Sequence, residues 1–184
     1  MDRSELIAQI PGLRRYARAL TGNAWAADDL VQDTLERACA KWRLWAAGSD
    51  LRAWLFTLMH NLFASDGRRA VRRQQAGTPV DVDDVAHELL APDDAIDLGL
   101  DLQRALLLLP EEQRTVLLLV SLEDMSYEDV ARITGSPIGT VMSRLSRARA
   151  RLQSLLDAPA IVPGRPAAHA SPVSPLHRLK SAPG

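Results

Sequence analysis

The chain has 184 residues, 47% of them hydrophobic, and a formal net charge of −1. That is enough for one or two small globular domains with cores of their own. A single cysteine, Cys39, excludes an internal disulfide framework and a multi-cysteine zinc site. No run is long and apolar enough to span a bilayer, and the N-terminus lacks the basic-then-apolar arrangement of a signal peptide. A cytoplasmic protein without membrane contact is expected. His60, His87, His169 and His177 are scattered without ligand spacing. No acid–base pair, nucleophile or metal set is visible, so no catalytic residue, metal or cofactor is expected and the chain is not read as an enzyme.

The near-neutral total hides a segregation of charge. Residues 1–75 carry 12 basic and 8 acidic side chains, whereas residues 76–103 carry 8 acidic and no basic ones. Residues 104–156 carry 7 basic and 6 acidic ones. A neutral sum therefore does not argue against nucleic-acid binding, because the basic groups cluster.

Helical periodicity dominates and no strand-type alternation of useful length occurs, which predicts an all-α protein. The first region, about Ser4 to Arg73, reads as three or four helices. Breaks fall at Thr21-Gly22-Asn23 and at Ala47-Gly48-Ser49-Asp50. The helix from about Ala24 to Trp42 has an apolar face of Ala27, Leu30, Val31, Leu35, Ala38 and Trp42. Its other face carries Asp29, Gln32, Asp33 and Glu36, which is either a docking stripe for a basic partner or an ordinary solvated face.

The helix from about Leu51 to Arg69 is apolar on two sides. Leu51, Trp54, Leu55, Leu58 and Leu62 lie on one, and Phe56, Met59 and Phe63 on the other. Such a helix is deeply buried or covers a partner. It runs into Arg68, Arg69, Arg72 and Arg73. Trp42, Trp45 and Trp54 bracket the Gly48 loop. Aromatics beside cations suit single-stranded nucleic acid, because bases stack while cations hold the backbone. Core packing is the alternative, and it suits Trp42 and Trp54.

Residues 76–100 read as an acidic linker, with Gly77, Thr78, Pro79, an Asp cluster and Pro92. Helices resume from about Leu98 to Leu156. Pro110-Glu111-Glu112 opens one, with proline and negative charge where a helix start favours them. Ser126 and Asp129 then form a variant capping box, and Val130, Ala131 and Ile133 give a short apolar face. Gly135 ends that helix and Ser136-Pro137 starts the next. In the last helix Val141, Leu145, Ala148 and Leu152, with Ile138 beside them, face inward. Gly139, Thr140, Ser143, Ser146 and Arg147 face outward.

This is the layout of a helix-turn-helix. Small and hydroxyl residues allow close approach to base edges, and arginine bridges guanine bidentately. Arg144, Arg149 and Arg151 on the flanks suit phosphates. An amphipathic helix with a solvated basic face is the alternative. The tail, residues 157–184, is rich in Pro and Ala and is expected to be disordered.

Together these motifs resemble the extracytoplasmic-function (ECF) sigma factors of bacterial RNA polymerase, the compact group with regions 2 and 4 only. Asp28-Asp29-Leu30-Val31-Gln32-Asp33-Thr34 looks like region 2.2. Leu51-Arg52-Ala53-Trp54-Leu55-Phe56-Thr57-Leu58-Met59-His60-Asn61-Leu62 looks like region 2.4. Leu109-Pro110-Glu111-Glu112-Gln113-Arg114 and the helix-turn-helix look like region 4.

The resemblance implies two small helical domains. Residues 1–75 would be region 2 and residues 101–156 region 4, joined by the acidic linker. Asp28, Asp29, Gln32, Asp33 and Glu36 would bind core RNA polymerase. Trp45, Ser49, Asp50 and Asn61, with Arg68 and Arg69, would hold the melted −10 element. Thr140, Ser143, Arg144, Ser146, Arg147 and Arg149 would engage the double-stranded −35 element. The acidic linker would thread toward the polymerase cleft. An anti-sigma factor would be a further partner. Met142 stands where the family usually has Lys or Arg, which would alter −35 preference. The rival reading is a free-standing helix-turn-helix regulator that binds duplex DNA alone, usually as a dimer.

Overall fold

The computed structural model describes residues 3–42, 50–75 and 94–157. Trp45, Ser49, most of the acidic linker and the tail after Asp157 lie outside the described residues. Among the described residues there are seven helices and no strand.

The first three helices are α1 (Arg3–Thr21), α2 (Ala24–Lys41) and α3 (Leu51–Gln75). Asn23 caps α2: its backbone is extended and its Oδ1 accepts from the Ala26 N–H at 3.0 Å. Asp50 caps α3, its Oδ1 accepting from the Arg52 and Ala53 N–H groups at 2.9 and 3.2 Å. Each cap satisfies N–H groups that have no partner inside the helix.

The three helices bury Leu13, Tyr16, Ala17 and Leu20 of α1, Ala27, Leu30, Val31 and Ala38 of α2, and Leu55, Phe56 and Met59 of α3. Both apolar sides of α3 are used. Phe56 meets Tyr16 edge-on, with ring centroids 5.2 Å apart, and Trp54 meets Trp42 in the same way at 6.1 Å. Trp42 and Trp54 are thus packing residues.

The second set is α4 (Asp94–Leu107), α5 (Glu111–Ser121), α6 (Tyr127–Thr134) and α7 (Ile138–Asp157). Pro110 stands at the N-cap of α5, followed by Glu111 and Glu112 in the first turn. Val116 and Leu119 of α5, Val130 and Ile133 of α6, and Val141, Leu145 and Ala148 of α7 are buried together. Ile138, expected on the inward face, is instead 43% exposed at the start of α7.

The two sets pack against each other: α3 meets α6, and α1 meets α4 and α5. Their buried residues form one continuous apolar cluster. Gln103 of α4 donates across the junction to the Ala19 carbonyl at 3.2 Å. A helical pattern marks each amphipathic helix but not which helix it meets, so the sequence alone gives no sign of this closure.

Candidate nucleic-acid and polymerase interface

The helix-turn-helix is built as its local signals require. The Ser126 hydroxyl accepts from the Asp129 N–H at 3.1 Å and donates to Asp129 Oδ2 at 2.7 Å. Gly135 ends α6 with φ 60°, a left-handed conformation that costs glycine little. A Cβ there would meet nothing within 4 Å, so backbone angle rather than space calls for glycine. Ser136 N–H closes the turn on the Ala131 carbonyl at 3.1 Å.

The face of α7 opposite the core carries Thr140, Met142, Ser143, Ser146 and Arg147. Met142 is 53% exposed. Ser143 Oγ donates to the Thr140 carbonyl at 3.0 Å. Arg147 lies back along the helix, with Nε 3.2 Å from the Ser143 carbonyl and Nη2 3.1 Å from Ser143 Oγ. Ser146, Arg147, Arg149 and Arg151 are exposed.

Arg144 differs from these. Its side chain is only 21% exposed, pairs with Glu112 at 2.5 Å and donates to Ser136 Oγ at 2.8 Å. It is turned toward α5 and the turn before α7 rather than out along the exposed face.

The acidic face of α2 is intact. Asp29, Gln32, Asp33 and Glu36 are exposed, and Gln32 Nε2 donates to Glu36 Oε1 at 3.0 Å. Asp28 pairs with Arg14 of α1 at 3.0 Å. Some loss of hydration, and then the neighbouring charges of Asp29, Glu36 and Asp66, raise the pKa of Asp33 from its ordinary value, with Arg37 acting the other way. Asp66 belongs to α3 and joins this face only through the fold. Trp25, 83% exposed, stands one turn ahead of Asp29. Neither residue stands out in the sequence, since Asp66 sits in a basic stretch and Trp25 in an alanine run.

Of the residues expected at the −10 element, Asn61, Arg68 and Arg69 are exposed on α3, and Arg69 pairs with Asp66 at 3.3 Å. The Asp50 carboxylate is occupied as the α3 cap. Arg68 and Arg144, expected at opposite ends of a promoter, line one cavity of about 800 Å³. His60, Arg72, Glu111, Glu112 and Ser136 line it too. The buried His60 Nδ1 has no hydrogen-bond partner. Burial, and then the charges of Arg68 and Arg144, depress the His60 pKa below 6.5.

Glu123 is the feature the sequence conceals. It lies in the turn after α5, yet its side chain is fully buried. Arg15 of α1 grips it bidentately, Nε to Oε1 and Nη2 to Oε2, both at 3.0 Å. Arg52 of α3 adds Nη2 to Oε2 at 2.8 Å and Nη2 to the Glu123 carbonyl at 2.6 Å.

Two helical halves, one with an acidic face beside a basic helix and one with a helix-turn-helix, define the class of DNA-binding initiation factors built from sigma domains. Residues 6–60 match the sigma2 domain of PhyR, and residues 99–152 match sigma-70 region 4. The chain is 43% identical over 157 residues to the ECF RNA polymerase sigma factor EcfG of Rhodopseudomonas palustris (strain TIE-1), covering 84% of each. It is 34% identical over 147 residues to the ECF sigma factor SigM of Mycobacterium tuberculosis (strain ATCC 25618 / H37Rv), covering 78% of this chain and 71% of that one.

Among solved structures, the sigma factor RpoE in complex with the anti-sigma factor NepR from Bartonella quintana aligns with a TM-score of 0.73 and 42% identity. That alignment covers 85% of this chain and 96% of the other. CnrH, in complex with the cytosolic domain of CnrY, aligns with a TM-score of 0.61 and 27% identity over 84% and 87%. The chain belongs to the ECF sigma-factor family of bacterial RNA polymerase and is an alternative sigma factor. Family membership removes the free-standing regulator from contention. Among the described residues no helix is long and apolar enough to cross a membrane.

Proposed function

We propose that this sigma factor docks on core RNA polymerase through Asp28, Asp29, Gln32, Asp33 and Glu36 of α2 and directs the enzyme to a small promoter set. The α7 face of Thr140, Ser143, Ser146 and Arg147 reads the −35 element in the major groove, with Arg149 on a phosphate and Arg144 on another once it leaves Glu112. Asn61, with Trp45, Ser49 and Asp50 and the cations Arg68 and Arg69, takes an unpaired −10 base and so assists melting. Extruding a base costs a few kcal/mol, which pocket contacts offset. RNA synthesis itself belongs to the core enzyme. An anti-sigma factor holds the chain in reserve; the complexes of RpoE with NepR and of CnrH with CnrY support that part of the reading.

The observation that carries the proposal is the pairing, in one chain of this family, of an exposed acidic helix face with a helix-turn-helix whose outer face is hydroxyl- and arginine-rich. The test is transcription in vitro with core polymerase on a promoter library. Core plus this chain should initiate from a narrow sequence class, and the chain alone should bind the same DNA weakly. Strong specific binding by the chain alone, with no change in initiation, would overturn the proposal.

A further inference from the structure

The −35 and −10 elements lie roughly 25 base pairs apart, or roughly 85 Å at 3.4 Å per step. In the closed molecule α3 touches α6, and Arg68 and Arg144 line the same cavity. The two reading faces therefore cannot engage one promoter until the halves part. What holds them together decides how readily the factor becomes active.

Part of the contact is apolar and part is ionic. Arg15 and Arg52 come from the first half, and Glu123 from the second. The surroundings are shaped around that carboxylate. Asp124, the next residue, has φ 51°, a left-handed conformation that strains a non-glycine residue. The strained turn aims Glu123 inward. Gly12 of α1 faces it, and a Cβ there would approach Glu123 Oε2 to 3.3 Å. The Arg52 guanidinium also lies over the Phe56 ring, 5.7 Å from its centroid, and so is held on a second side.

A buried ion pair contributes little net stability compared with an apolar contact, because its attraction offsets the dehydration of its charges. Removing one member alone is another matter, since it strands the others. Parting the halves rehydrates all three groups at once. Arg15 and Arg52, with side chains 54% and 37% exposed, are already partly in water. The contact is thus specific in geometry and close to balance in energy, which suits a reversible closure.

We infer that Glu123, gripped by Arg15 and Arg52 against the Gly12 notch, is an autoinhibitory clasp that holds the free chain in a closed form unable to bind a promoter. Core polymerase binds the open form, so the open fraction scales its apparent affinity. The inhibitory consequence and the link to core polymerase rest on the sigma-factor reading; the clasp as a contact that closes the two halves does not.

The experiment uses the full chain with two labels, one on native Cys39 in α2 and one on Gln153→Cys in α7, both exposed positions. Distances between the labels report closure without polymerase. Glu123→Gln should raise the open-to-closed ratio about tenfold or more, within the usual range of coupling between sites. Gly12→Ala should act in the same direction by crowding the carboxylate. It also favours α1 as a helix, so opening in that variant is not unfolding. Far-UV circular dichroism checks that helix content is kept.

Unchanged distance distributions in both variants would overturn the clasp. If Glu123→Gln loses its fold, Gly12→Ala decides alone. Core binding is measured separately and should tighten by the factor by which the open fraction rises. Opened variants that still ignore core polymerase would sink the sigma-factor mechanism and leave the clasp standing.

Discussion

Arg144 and Arg147 lie three residues apart on α7 and are held in different ways. Arg147 rests on its own helix through Ser143, a contact that a guanine edge can replace without disturbing the fold. Arg147→Ala should therefore cost about 1–3 kcal/mol at one position of the −35 element and little elsewhere. Promoter profiling of the variant checks this; an unchanged −35 preference would remove Arg147 from the readers. Tyr16 gives the converse case. Its hydroxyl is buried against Thr115, and neither oxygen has a hydrogen bond of good geometry. Burial pushes the phenol pKa well up. An unpartnered buried hydroxyl is a cost rather than a contact. Tyr16→Phe should leave Tm unchanged or raise it; a clear fall in Tm would show that the hydroxyl is satisfied. Single residues are where the sequence is least informative. Glu123 reads as an ordinary turn acid between Leu122 and Asp124, because its partners lie 108 and 71 residues away.

Elements are where the sequence is most informative, because the signals that make a helix are local. Ser126, Asp129 and Gly135 mark the ends of α6 within ten residues, and all three do in the fold what their chemistry suggests. Ser126→Ala should lower stability by about 1 kcal/mol, the usual value of such a cap, with a matching fall in Tm. An unchanged Tm would mean the cap is redundant with the packing of Val130 and Ile133. The two-sided apolar pattern of α3 is likewise legible as deep burial, and Leu55, Phe56 and Met59 bear it out. The acidic face of α2 is legible as a stripe but not as a patch, since Asp66 reaches it only through the α2–α3 contact. Loss of hydration first, and then the charges of Asp29, Glu36 and Asp66, push the Asp33 pKa up, and a basic partner would offset that charge. Replacing Asp29 and Asp33 by Lys should abolish co-purification with core polymerase while leaving Tm near that of the parent chain. Both side chains are exposed, so the fold does not depend on them. Normal co-purification would move the docking surface elsewhere.

Closure makes the whole molecule sensitive to acid through His60. This residue faces a cavity walled by Arg68 and Arg72 of its own helix, by Glu111 and Glu112 of α5, and by Arg144 of α7. Burial comes first among the causes of its lowered pKa, followed by Arg68 and Arg144. Arg144 belongs to the other half, and the burial is completed by that half, so both effects weaken when the halves part. The histidine of the closed form thus resists a proton that the open or unfolded chain accepts. Its contribution to closed-state stability is fully present above the ordinary value of 6.5 and is lost as pH falls from there through the depressed value. Glu111 and Glu112 face the same cavity, and Glu112 is already paired with Arg144. Acidification should therefore lower Tm and favour opening at once. His60→Gln, which cannot titrate, should flatten both responses between about pH 7.5 and about pH 5. The Cys39–Gln153→Cys distance and Tm, followed together across that range in both proteins, are the measurements. Parallel pH profiles in the parent and the His60→Gln chain would show that the acid response arises from carboxylates elsewhere, and would detach the cavity from the control of closure.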